Sequence, residues 1–111
     1  MSDLKAKFWV DALIRRAQSG LAHAYVVHRG DADAGAVLVK LVLPQRKSCL
    51  FVPIRDAKGD RIWMKPFGND ADENLVDADI ARRLDRDEDL WVIEIEDRLQ
   101  RHFLTEPVEE N

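Results

Sequence analysis

The sequence predicts an α+β fold with helices packed on an antiparallel sheet, and three observations carry that expectation. Apolar residues recur at helical spacing near the N-terminus and again over residues 75–86. Between residues 22 and 65 they instead alternate or run continuously in short segments, and clusters of Gly, Asp and Pro separate those segments. The order is an N-terminal helix, a four-stranded antiparallel meander, a second helix and a C-terminal β-hairpin, with the helices forming a single layer on the sheet. With 111 residues, no internal repeat and no linker, the chain is expected to be one domain over 1–111.

Each element has its own signal. Over residues 3–18, Ala6, Trp9, Val10, Leu13, Ile14 and Ala17 fall on one side at 3.6 residues per turn, and Gly20 supplies the stop. Leu4 and Phe8 project from nearly the opposite side, as a second apolar pair suited to a subunit contact or to cover by the tail. Residues 22–29 alternate, with Tyr25 and Val27 on one face and Ala24, Val26 and His28 on the other. Val37 to Leu43 is apolar on both faces except for Lys40, the mark of a central strand. Pro53 argues for an edge position or a bulge in the third strand, 49–55. Asp56 to Asp60, with Gly59 able to take positive φ, is a hairpin turn leading into Arg61–Lys65. A helix over 75–86 turns Val76, Ile80, Ala81 and Leu84 inward, with Asp77 and Asp79 near its start and Arg82, Arg83 and Arg86 near its end, as the helix dipole favours. Leu90–Glu96 and Arg101–Leu104 then make the hairpin, and residues 105–111 fray as an acidic tail.

Charge divides the chain. Residues 1–68 carry 12 Lys and Arg against 6 Asp and Glu, whereas residues 69–111 carry 5 against 15. The expectation is a positively charged β-layer and a negatively charged C-terminal region on separate patches. The lone Cys49 excludes an intrachain disulfide and a cysteine-based zinc cluster, and it suits a reducing cytoplasm. The N-terminus holds Asp3 and Asp11 and has no signal-peptide pattern, and the Val37–Leu43 run is far too short to span a bilayer. A cytoplasmic protein without membrane association is expected.

Common chemistries find little support. There is no G-x-G-x-x-G, Walker loop, CxxC or G-x-S-x-G elbow, and no cofactor is implied. Residues 29–35 combine an RGD triplet with the Asp-x-Asp opening of a calcium loop. The fifth and twelfth positions of that loop are Gly35 and Val42, which cannot ligate, so the segment reads as an Asp/Gly turn. Cys49 beside Lys47 lacks a paired base and reads as a packed thiol. His23 and His28 have opposite parity on one strand and cannot share an ion. His102 faces Glu94 and Glu96 across the expected hairpin, a weak candidate for a metal-assisted hydrolase.

The best ligand signal is the basic meander. Lys40, Arg46, Lys47, Arg55, Lys58, Arg61 and Lys65 interleave with Phe51, Trp63 and Phe67, and Arg61, Trp63 and Lys65 share one face. Such a face can stack bases and neutralise phosphates, so single-stranded nucleic-acid binding through Arg55, Arg61, Trp63 and Lys65 is the alternative reading. The net charge of −4 opposes it.

The segments FWVDALIRRAQ (8–18), RGDADAGAVLVKL (29–41), DRIWMK (60–65) and ARRLDRDEDLWVIEIEDR with RHFL (81–104) resemble a family of short alphaproteobacterial proteins catalogued only as a domain of unknown function. The resemblance spans nearly the whole chain and implies a bacterial, cytoplasmic, single-domain protein with no transferable site. The element order is also similar to that of dimeric secretion chaperones, a likeness of topology alone. The leading expectation is a non-enzymatic interaction module. It would act as a homodimer and with an unidentified protein, through a sheet face or the Leu4/Phe8 side of the first helix.

Overall fold

The structure, a computed structural model, describes residues 5–110. Its elements are α1 (Ala6–Ser19), β1 (His23–His28), β2 (Val37–Leu43), β3 (Lys47–Arg55), β4 (Arg61–Met64), β5 (Ala71–Asp72), α2 (Glu73–Arg86) and β6 (Trp91–Glu96). The α+β class stands, as two helices with a six-stranded sheet. Ala6, Trp9, Val10, Leu13 and Ala17 of α1 are buried as their spacing dictates. In α2, Val76 and Ile80 are buried, but Ala81, expected inward, is exposed.

The strand arrangement departs from a meander. The order is β1-β6-β2-β3-β4, with β5 pairing β3. β6 enters between β1 and β2, antiparallel to the first and parallel to the second, so the sheet is mixed and there is no C-terminal hairpin. Apolar content explains the insertion. VLVKLVL and WVIEIE are the two strands most hidden on both faces, and placing them side by side at the centre buries more surface than pairing each with its neighbour in sequence.

The helices lie on opposite faces, not in a single layer. Val37, Val39, Leu41, Phe51, Ile93 and Ile95 pack beneath α1, whereas Leu38, Leu50, Val52 and Val92 pack beneath α2. A bulge between Val26 and His28 places His28 opposite Val92, on the face shared by His23 and Tyr25. The two histidines, expected on opposite faces, therefore share one. Their partners Glu96 and Val92 are four residues apart on β6, which still holds them roughly 13 Å from one another.

Local turn chemistry follows the sequence closely. The Asp56 carboxylate accepts from the Lys58 and Asp60 N–H groups, and Gly59 takes φ 85°. Pro53 is tolerated inside the sheet because β3 pairs β2 only up to Phe51, so no ladder hydrogen bond to β2 is required of it. The Asp31 carboxylate closes the 31–34 turn, and the loop carbonyls of Ala32 and Asp33 accept from the first N–H groups of α1. Gly30 and Gly35 pass so close to the Asp89 carbonyl that a Cβ at either would overlap it.

The largest departure is at the C-terminus. Residues 105–110, expected to fray, are bound instead. After the Asp97–Gln100 turn the chain crosses the α1 face beside the helix, and residues 105–110 lie along the outer side of β4 as a strap. Arg16 donates twice to the Phe103 carbonyl, at 3.1 and 3.0 Å, and Arg101 clamps Asp97 at 2.7 Å, which fixes the approach to the strap.

Candidate functional site

The basic and aromatic residues singled out on β4 do share a face, but the strap occupies it. Trp63 is completely buried, with its ring 5.5 Å from that of Trp9. Both indole N–H groups donate to one carboxylate, Trp9 to Oε2 and Trp63 to Oε1 of Glu106, each at 3.1 Å. The main chain adds a short parallel ladder: the Trp63 N–H donates to the Pro107 carbonyl at 2.9 Å, and the Glu109 N–H donates to the Trp63 carbonyl at 2.7 Å. Arg61 lies over the Trp9 ring at 5.4 Å, and the buried Lys65 ammonium reaches Asn69 at 2.6 Å and Glu110 at 3.2 Å. Burial opposes ionisation of Glu106, but the hydrogen bonds from Trp63 and Trp9, with the Arg61 charge behind them, outweigh it and hold the carboxyl below its usual range.

Two expectations are corrected here. Trp63 has no exposed face on which a base could stack, so the nucleic-acid reading loses its aromatic platform. Nor do the charges of the two halves form separate patches along β4, because the acidic tail folds back on the basic strand. Arg55, opposite Arg61 in the β3–β4 register, is exposed and donates to the Gly59 carbonyl at 3.2 Å. Together with Lys5, Trp9, Asp33 and Pro53 the two arginines line an open cleft of about 430 Å³.

The proposed metal constellation does not assemble. Glu94 and Glu96 point to the α2 face, whereas His102 packs edge-on against Phe51 on the other, with ring centroids 5.1 Å apart. His102 Nδ1 accepts from the Leu104 N–H, and burial, reinforced by the Lys65 charge, pushes its pKa down. No group of three or more His, Cys, Asp or Glu side chains among the described residues is placed to hold a metal. The Cys49 thiol is buried and donates to the Gly68 carbonyl, and burial pushes its pKa up to about 11, which removes it as a nucleophile at neutral pH.

One constellation was not found from the sequence. Lys40, assigned there to the basic meander, is buried on the α2 face with its ammonium 2.9 Å from Glu73, 2.8 Å from Asp77 and 3.8 Å from Glu94. Burial disfavours its charge, yet the hydrogen bonds with Asp77 and Glu73 prevail and raise its pKa. Tyr25, opposite Glu94 on β1, extends this polar row to the sheet edge, and its pKa is raised by burial and by Glu94 and Glu96. A lone lysine in an otherwise apolar strand was the available signal.

The remaining expected contact residues lie apart. Leu4 falls outside the described residues, and Phe8 stands 61 % exposed on α1. At the opposite end of the sheet from the strap, β1 pairs only β6 among the described strands, and Tyr25, Val26 and Val27 are 50, 38 and 54 % exposed.

A family model described as "Protein of unknown function (DUF1491)" matches residues 4–105. The chain belongs to the DUF1491 family. A crystal structure of a DUF1491 family protein from Caulobacter crescentus CB15 is 49 % identical and superposes with a TM-score of 0.89, covering 96 % of this chain and all of that one. An NMR structure of a DUF1491 family protein from the same organism is 47 % identical at a TM-score of 0.84, covering 99 % of this chain and 100 % of that one. Protein Atu0922 from A. tumefaciens, solved in solution, is similar at 26 % identity and a TM-score of 0.80 over 99 % of both chains. No curated protein matches the chain. The DUF1491 relatives thus support the α+β fold and leave activity to be argued from the surface. No helix among the described residues is long and apolar enough to cross a membrane.

Proposed function

We propose that this DUF1491 protein is a non-enzymatic interaction module of the cytoplasm that self-associates through the outer edge of β1. The observation that carries the reading is a six-residue edge strand with Tyr25, Val26 and Val27 exposed and no Lys, Pro or acidic residue among its side chains. Edge strands in monomeric proteins carry lysine, proline or a cover that discourages pairing, and here, among the described residues, the bulge alone serves that purpose. An antiparallel β1–β1 pair continues the sheet across a twofold axis and brings no like-charged side chains of β1 opposite each other. The exposed apolar edge is a surface for docking, and the Cys49 thiol, buried with its pKa pushed up to about 11, is not placed for nucleophilic chemistry.

Light scattering of the full chain at tens of micromolar in low salt tests the proposal. A dimer that Val27→Lys converts to a monomer supports it. A wild-type monomer under those conditions overturns self-association, and a dimer indifferent to Val27→Lys moves the interface elsewhere. Addition of a strand by an unidentified protein is the second use of the same edge. It is distinguished by a wild-type monomer whose β1 amides gain exchange protection only in the presence of that partner.

A further inference from the structure

The covered edge of the sheet carries a second docking surface, built from groups the β1 proposal does not use. We infer that the outer side of β4 is a receptor for an extended acidic peptide containing a Glu-Pro step, held in cis by residues 105–110 and open to the same kind of segment from a partner protein.

The contacts of residues 105–110 are those by which sheet edges recognise peptides. Main-chain hydrogen bonds flank Trp63 on both sides, with Pro107 accepting and Glu109 donating. They fix register without reading sequence. Sequence is read by a slot: two buried indole N–H groups converge on a single carboxylate, each bonding a different oxygen. That geometry fits a planar carboxylate with two lone-pair-bearing oxygens, and a neutral aliphatic side chain would leave both donors unpaired. Pro107 pre-sets an extended backbone next to the slot and gives only its carbonyl to the ladder, so its missing N–H costs nothing. Arg61 on β4 and Lys65 just after it supply positive charge at each end of a segment whose side chains include Glu106, Glu109 and Glu110.

The strap is held to the rest of the fold by few groups, with Val108 packed against the α1-side core. The chain is pinned up to Leu104, which is buried, by Arg16 on the Phe103 carbonyl and by Arg101 on Asp97 and the Gly20 carbonyl. Beyond that point Thr105, Pro107, Glu109 and Glu110 are exposed, and the strap's hydrogen bonds and ion pair are made to Trp9, Trp63 and Lys65. Phe103 and Gln100 hold φ of 63° and 59°, a region costly for side-chain-bearing residues, so the bends leading to the strap are not conformations the free chain prefers. A tethered segment competes with a free peptide at an effective concentration of about millimolar. The receptor is therefore masked in the resting chain and answers to a partner that outcompetes the tail.

The test is fluorescence anisotropy of a labelled, N-acetylated peptide of sequence Thr-Glu-Pro-Val-Glu-Glu, titrated with full-length wild type and with full-length Glu106→Ala. Removing the cis carboxylate unmasks the slot, and Glu106→Ala is expected to bind the peptide at least about ten-fold more tightly than wild type. A peptide with glutamine in place of its first glutamate should lose about ten-fold on the same protein. If Glu106→Ala does not fold, Glu110→Lys serves instead, because it loosens the exposed end of the strap by facing Lys65 with like charge. No binding by either variant at millimolar peptide overturns the inference. So does binding indifferent to that glutamine replacement, which would mean charge attraction without a carboxylate slot.

Discussion

On one side of the sheet β4 gives its outer backbone to the C-terminal strap and buries Trp63 completely, whereas on the other β1 pairs only β6 among the described strands and leaves Tyr25, Val26 and Val27 at 50, 38 and 54 % exposure. Both are edges of one sheet and face the same hazard of unpaired N–H and C=O groups. The chain spends six residues, two indoles and a carboxylate on closing one of them. On the other, among the described residues, it has a single bulge. Under the two proposals the edges take different partners, the closed one a peptide that mimics the strap and the open one a strand that adds backbone pairing.

The sharpest way to break this comparison is at Trp63. Trp63→Ala removes the ring that seats Glu106, stacks near Trp9 and fills the core, and it should cost about 3–5 kcal/mol in chemical denaturation. A loss under about 1 kcal/mol would mean that the strap side is no better packed than the open edge. A smaller effect comes from pH. Burial, with the Lys65 charge, holds His102 below its ordinary pKa of 6.5, so the unfolded chain takes up that proton first. Stability from this group is complete above about pH 6.5 and declines as pH falls through that value. The melting temperature should drop between about pH 7.5 and 5.5, and His102→Gln should flatten the curve. Further acidification should bring a second decline, because the Arg101 side chain holds Asp97 down at about 2 and Glu106 is also depressed; both stabilise above the usual carboxylate pKa and fail as pH drops below it. The smallest effect belongs to the open edge. Measured on the monomer, Val27→Lys should change stability by no more than about 0.5 kcal/mol, since it replaces a half-exposed side chain on a strand with one neighbour.

Much of this was legible in local sequence. The α1 stripe, the Asp56–Gly59 hairpin and the Asp31 turn each depend on residues within a few positions of one another, and each forms as its pattern dictates. Where partners are distant the reading failed. Nothing in WVIEIE says that it pairs β2 and β1 at once, because alternation fixes which face a residue takes but not which strand lies beside it. The same limit hid the Lys40 cluster, whose carboxylates come from α2 and β6. One inserted residue at Val27 moved His28 to the other face. Acidic composition made residues 105–111 look like a solvated tail, since the two indoles that donate to Glu106 lie 97 and 43 residues away in sequence.

The position of β6 has a consequence for how the chain comes into being. Its six residues occupy the middle of the sheet yet leave the ribosome after every other strand, so β1 has no neighbour to pair with until translation has passed Glu96. The nascent polypeptide therefore carries two incomplete halves, α1 with β1 and β2 through α2, each showing an apolar flank to its surroundings. Closure by the last strand in sequence makes folding depend on long-range contacts, the class in which acquisition of structure is slow and helpers that shield unfolded chains have the most time to act.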